Sequence, residues 1–151
     1  MTNVDVRVLE SADEHIVAAL ARLLPQVSGR AAPLTTNRTQ LVLANPSTHV
    51  FVATVDDDVV GMALLLTCTT LTGQFGLVEE VVVDESMREQ HVGRRLMVEL
   101  LTTAKKRGFD FVELTSRPSR EAANFLYQSL GFRRRETNVY RHDLQERFGE
   151  P

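Results

Sequence analysis

At 151 residues and 43% hydrophobic content, the chain has the apolar supply for one core rather than two, so a single domain over residues 1–151 is expected. A formal charge of -3 and a pI near 5.8 give no global basic field, which excludes nucleic acid and anionic membrane as expected partners and leaves small molecules and proteins. The lone Cys68 cannot close an internal disulfide and sits in no zinc spacing, and neither a signal pattern nor a run of roughly 20 apolar residues occurs, so a cytoplasmic protein without metal is expected.

Val4, Val6 and Val8 alternate with polar residues and predict a first strand. Ser11 and Glu14 have capping-box spacing ahead of Ile16, Leu20, Leu23 and Leu24, a helix that should end near Pro25. Gln26 to Asn37 is polar, small or Gly/Pro, and Asn45-Pro46 closes a short apolar segment that can be a second helix. Val50 to Val55 and Val59 to Leu66 read as an antiparallel hairpin turning through Asp56-Asp57-Asp58. After a Thr-rich turn at Thr69 to Gly73, Phe75 to Val83 reads as a buried strand interrupted by Glu79 and Glu80.

Val92, Leu96, Leu100 and Ala104 then mark one face of a helix whose last turn holds Lys105, Lys106 and Arg107 and which Gly108 stops. Phe109 to Leu114 predicts another strand, and a helix capped by Ser119 should end at Gly131. Phe132 to Arg135 and Val139 to Leu144 are expected to finish the sheet as a hairpin. This order mixes antiparallel hairpins with one right-handed strand-helix-strand crossover and predicts an α/β (α+β) fold.

Between a buried strand and an amphipathic helix lies Arg88-Glu-Gln-His91-Val-Gly93-Arg94. Free amides and the positive end of the helix dipole converge there, Gly93 permits close backbone approach, and Arg88 and Arg94 add charge, so the turn suits an anion. Read alone, it is first a solvated basic helix start with a turn glycine. It lacks the three glycines of a dinucleotide turn and the Gly-Lys-Ser/Thr of a P-loop.

Glu79-Glu-Val-Val-Val-Asp84 followed by Arg88-x-x-His-x-Gly93 resembles the acetyl-CoA motif of the GNAT superfamily of N-acetyltransferases, Arg/Gln-x-x-Gly-x-Gly/Ala. Glu113-Leu-Thr-Ser116, Arg120-x-x-Ala123-x-x-Leu126-Tyr127 and Leu130-Gly-Phe132 resemble that family's final strand, helix and strand. His91 departs from the pattern, standing where the family usually has its first glycine; it either bonds a phosphate oxygen or faces solvent.

The resemblance implies a mixed, mostly antiparallel sheet with helices on both faces, in which the strand ending at Val83 splays from the parallel strand at Phe111 to Thr115. It implies acetyl-CoA as cosubstrate, without metal: the pantetheine arm pairs with backbone at Val81 and Val83, the segment Gln90, His91, Val92, Gly93 and Arg94 cradles the pyrophosphate with Arg88 beside it, and Asn124 touches the pantetheine. Tyr127 would give the departing thiolate its proton; without the resemblance it reads as a core aromatic. Glu80, ahead of Glu79, would take the proton of a primary amine, and the alternative is that both carboxylates pair with nearby arginines. Alternation sends the two to opposite faces.

An N-acetyltransferase acting by direct attack is therefore expected, with a non-catalytic acyl-CoA-binding regulatory module as the alternative that His91 motivates. The amine acceptor and the acyl chain preference carry no motif, since the segment from Gln26 to Asn45, which the resemblance implies shapes the acceptor pocket, has none. The resemblance also implies a homodimer, expected through the C-terminal strands. Arg133-Arg134-Arg135 either lines a solvated edge or faces the 3′-phosphate of the cosubstrate or a partner.

Overall fold

The computed structural model describes residues 2–27 and 32–145. The valine alternation opens strand β1 (Asp5–Val8), and helix α1 (Glu14–Leu23) follows with Asp13 as its cap, the carboxylate accepting the Ile16 N–H at 2.9 Å. This corrects the box expected from Ser11 and Glu14. An aspartate two residues further on competes for the same first-turn amides, and its charge suits the positive end of the helix. Pro25 falls in a short 3-10 turn, Leu24–Gln26. Of the polar stretch from Gln26 to Asn37, residues 28–31 lie outside the described residues. The short second helix is α2 (Thr36–Ala44), capped by Thr35.

Five strands lie side by side in chain order. β2 (Thr48–Val55), β3 (Asp58–Thr70) and β4 (Gly73–Val83) extend β1 as an antiparallel meander, and β5 (Val112–Glu113) joins β4 in parallel. The β2–β3 turn is two residues, Asp56 and Asp57, with φ of 49° and 67°. Both left-handed values belong to the primed hairpin turn that matches strand twist. The expected mixed, mostly antiparallel sheet with helices on both faces is observed.

The period-2 alternation of β2 divides the core. Phe51 and Ala53 face helix α3 (Val92–Lys106) and helix α4 (Glu121–Ser129), whereas Val50 and Val52 face α1 on the other side. Leu96, Met97 and Leu100 of α3 are fully buried, each such side chain contributing about 1.5–3 kcal/mol of transfer free energy. Gly61 of β3 lets α3 close on the sheet, because a Cβ there would stand 3.0 Å from Leu96 Cδ1 and 3.2 Å from Val92 Cγ1. No helix among the described residues is long and apolar enough to cross a membrane.

Two further expectations are corrected. Ser119 does not cap α4: the Arg120 N–H closes a turn on Arg117 O at 3.0 Å, which puts Arg120 at the helix start without a side-chain cap. Phe132 to Leu144 forms no strand pair. Phe132 instead packs edge-on against Tyr127, 5.8 Å between ring centroids. Beyond it three arginines offer no apolar face, and Val139, Tyr140 and Leu144 are 74%, 87% and 80% exposed, so no burial holds a hairpin in place.

His49 of β2 is a buried-side exception to the apolar core. Its Nε2 is buried without a hydrogen-bond partner, and burial, assisted by the Arg107 charge, holds its pKa below the ordinary 6.5. The unfolded chain then binds the proton more tightly than the native one, so stability is fully present above the unfolded value and falls as pH drops below it. Urea midpoints should decline from about pH 7.5 to about pH 5.5, and His49→Gln should flatten that slope; an unchanged slope removes His49 as its origin.

Candidate active site

β4 pairs with β5 only at Gly76 and Leu77, opposite Val112 and Glu113. From Val78 to Val83 the strand continues with β3 on one side and no strand on the other. The expected splay is thus present, although β5 is shorter than the predicted Phe109 to Leu114.

Within this open half the register slips, Leu64 opposing Glu79 and Met62 opposing Val82, so β4 carries an extra residue against Ala63. Glu80 takes the left-handed conformation that the bulge requires, φ 51°. The bulge changes which backbone groups face the gap. Gly76 N–H donates to Phe111 O on the β5 side, whereas Asp84 N–H donates to Val60 O on the β3 side. Because amide direction alternates along a strand, the amides of Val81 and Val83 point into the gap.

The same slip overturns the simple alternation expected of the acidic pair, since an inserted residue resets the pleat. Both Glu79 and Glu80 are exposed. Glu79 makes no ion pair among the described residues, and Glu80 lines a cavity between the sheet, α1 and α2.

Beyond β4, Asp84 caps a 3-10 turn, Glu85–Met87, by accepting from the Ser86 N–H and hydroxyl at 3.0 and 2.9 Å. Those bonds hold its carboxyl below the usual aspartate range. The chain then passes through Glu89 and His91, with φ of 66° and 60°, into α3. His91 is the helix N-cap but bonds no first-turn amide with its side chain. The first backbone bond of the helix runs from Arg95 N–H to His91 O. The amides of His91, Val92, Gly93 and Arg94 therefore have no acceptor among the described residues, and they lie at the positive end of the helix dipole.

Val92 is buried, while Arg88, Gln90 and His91 are exposed. Arg88 stands 3.8 Å from Glu85. Arg94 Nη1 donates to Ser129 Oγ at 3.1 Å, tying the start of α3 to the end of α4. Gly93 marks the same crossing: a Cβ there would lie 3.3 Å from Leu126 Cδ2 and 3.6 Å from Val83 Cγ2.

α4 carries Asn124 and Tyr127. Asn124 Nδ2 donates to Arg117 O at 2.9 Å, which fixes the turn before the helix. Tyr127 is 6% exposed and belongs to the core cluster against which Val81, Val83, Leu114 and Leu126 pack. Its hydroxyl has no hydrogen-bond partner among the described residues. Burial pushes its pKa up from 10, with Arg120 opposing, so the phenol stays protonated near neutrality.

The residues singled out in sequence thus fall on three elements around one gap: β4, the α3 N-terminus and α4. Two features were not singled out. The Ser116 hydroxyl, just past β5, is buried without a partner; its place in the Glu113-Leu-Thr-Ser116 motif was the available signal. The α1–α2 cavity wall had none, because leucines and valines of amphipathic helices look alike whether they meet core or cavity. Arg135, from the basic run, pairs with Glu113 at 2.9 Å.

Because His91 must adopt a conformation that glycine reaches without Cβ strain, His91→Gly should raise unfolding free energy by about 0.5–1 kcal/mol in urea titration. Equal or lower stability would show that its side chain compensates the backbone.

The acetyltransferase (GNAT) family model matches residues 16–132. Among solved structures, a protein from Agrobacterium tumefaciens str. C58 superposes with a TM-score of 0.80 at 25% identity, covering 92% of this chain and 99% of its own. An acetyltransferase from Trypanosoma brucei gives 0.77 at 27%, covering 94% and 100%. An aminoglycoside N-acetyltransferase in complex with CoA gives 0.78 at 16%, covering 95% and 97%, a likeness of fold. No curated protein matches. With three quarters of its length matched by that family model and the gap, bulge and helix start in place, the chain belongs to the acetyltransferase (GNAT) family.

Proposed function

We propose that the protein transfers an acetyl group from acetyl-CoA directly to a primary amine, as one catalytic unit. The observation that carries this reading is the open edge of β4, where the Val81 and Val83 amides face a gap that no strand fills. A backbone-like pantetheine arm suits that edge, as an added strand would.

The surrounding residues fit the cosubstrate. Four consecutive unpartnered amides at the α3 start suit a pyrophosphate, with Arg88 and Arg94 at the flanks. Gly93 keeps that start free of a side chain, and Asn124 holds the α4 turn. The neighbour solved with CoA supports the same choice. Acetyl-CoA supplies an activated acyl carbon whose thiolate is a good leaving group, near the roughly 8.5 pKa of a thiol.

This chain's part is then positioning and two proton movements. Glu80, at the bulge, attracts the cationic amine and accepts its proton through water. The neutral nitrogen forms the new C–N bond as the C–S bond breaks, the Tyr127 phenol donates to the departing sulfur, and the proton that the acylated nitrogen then sheds restores the phenol through water. Burial suits Tyr127 to that task because its proton is retained across neutral pH. An unpartnered hydroxyl in an otherwise apolar cluster also favours transfer over a module that only binds acyl-CoA.

Calorimetry with acetyl-CoA, followed by an amine panel scored for released thiol, tests the reading; absence of acetyl-CoA binding refutes it. With an active amine in hand, Tyr127→Phe should reduce kcat by up to about 10²-fold while acetyl-CoA affinity is nearly unchanged, because the ring still packs. Full turnover in that variant assigns Tyr127 to packing alone.

Glu80→Gln should lower kcat/KM most near neutrality and least at high pH, where the amine deprotonates unaided, with Glu79→Gln milder. The reverse ranking moves the proton to Glu79.

A further inference from the structure

Burial keeps the proton on the Tyr127 phenol before transfer. The same burial opposes the phenolate that donation leaves behind, because a charge in apolar surroundings is poorly solvated. A phenol that is to act as a general acid therefore needs a group that stabilises its anion.

Such a group stands two turns back on the same helix. Arg120, Ala123 and Tyr127 follow one another at three- and four-residue spacing, which sets them on one face of α4. Arg120 belongs to that face although it is the cap, because its carbonyl already accepts the Asn124 N–H at 3.0 Å. Side chains on a helix lean toward its N-terminus, so the Tyr127 ring leans toward Arg120. Arg120 is exposed, and its guanidinium makes no ion pair or hydrogen bond among the described residues. Arg94 and Arg95 of α3, Glu79 and Glu80 of β4, Glu113 of β5 and Arg133 also sit on segments that pack around the ring. Arg94 is held by Ser129 and Glu113 by Arg135. Among the described residues, the charge that acts on the phenol, against burial, is that of Arg120.

Resting on the acetyl-transfer reading above, we propose that Arg120 is a positioning residue of the transfer site that acts through Tyr127, its guanidinium stabilising the phenolate formed as the proton passes to sulfur. As the C–S bond breaks, its electron pair goes to sulfur and the phenol proton follows, which leaves a thiol and a phenolate. The proton shed by the acylated nitrogen then returns the phenolate to phenol through water. The guanidinium meets a full negative charge only while that phenolate forms, so its effect belongs to the transition state rather than to binding.

The chain has 2 tyrosines and no tryptophan, so in Tyr140→Phe the near-ultraviolet tyrosinate absorbance reports Tyr127 alone. In that background Arg120→Gln should move the phenol titration to higher pH, and Arg120→Lys, which keeps the charge, should move it less. This readout needs no substrate. With an active amine, Arg120→Gln should lower kcat about three- to tenfold, Arg120→Lys should recover most of it, and acetyl-CoA affinity by calorimetry should be nearly unchanged. Placed in Tyr127→Phe, Arg120→Gln should cost nothing further, because the phenol through which it acts is gone.

An unmoved phenol titration, a loss that adds in full to that of Tyr127→Phe, full turnover in Tyr127→Phe, or weakened acetyl-CoA binding each overturns the proposal, the last making Arg120 a cosubstrate contact instead. Those results leave the acetyl-transfer reading standing. Failure of acetyl-CoA to bind the wild-type protein removes both.

Discussion

The arrangement of this protein depends on where the parallel pairing of β4 and β5 stops. Two residue pairs are made, and then β4 runs on for six residues with one edge unpaired. Backbone amides and carbonyls left in that way must find partners, in water or in a ligand, because an unpaired group shut away from both is costly. An interior strand edge is therefore a standing demand for a backbone-like partner, and the neighbouring elements keep the demand from being met by protein. The start of α3 and the middle of α4 meet at Gly93 and Leu126 beside Val83, and Arg94 ties the two helices through Ser129. With both helices fixed over the open end, β5 has no path by which to lengthen along β4.

The division of the core follows from the same geometry. Each face of the sheet buries its own apolar set, one beneath α3 and α4 and one beneath α1 and α2. The gap communicates with the first through Tyr127, Val81 and Val83, whereas Glu80 lines the cavity on the second. A strand without a bulge would present its residues in strict alternation. One inserted residue lets β4 offer amides to the gap at Val81 and Val83 while a carboxylate lines the far face.

Much of this was legible in sequence where burial and periodicity coincide. Val92, Leu96, Leu100 and Ala104 are all buried on one face of α3, as their spacing demands. Val50 to Val55 alternates between the two core faces, and the acidic turn after it is where the sheet turns back. Ser11 has the capping-box spacing to Glu14, which Asp13 lacks with Ile16 three residues on, yet Asp13 is the residue that caps the helix, and spacing alone does not rank two capping side chains two residues apart. The bulge was illegible for another reason: inserting a residue changes pairing and leaves composition unaltered, so its only trace was two neighbouring carboxylates in an apolar strand. The C-terminal stretch misled because Phe132, Val139 and Tyr140 have strand-forming side chains, and a strand also needs a face to bury, which only Phe132 obtains.

Backbone strain shows the same concentration. Five non-glycine residues among those described have positive φ, and two of them, Asp56 and Asp57, are required by the hairpin turn they form. The other three, Glu80, Glu89 and His91, fall within the single stretch from the bulge to the start of α3. Such conformations cost on the order of 1–3 kcal/mol each and persist only where the surroundings over-determine them. Here the anchors are adjacent in sequence: Val78 and Val82 are 3% and 5% exposed on either side of Glu80, and Val92, directly after His91, is 1% exposed. Buried valines thus hold a strained loop whose polar groups point outward. Glycine at any of the three positions would reach the same backbone conformation without a Cβ, whereas this sequence carries a carboxylate or an imidazole at each.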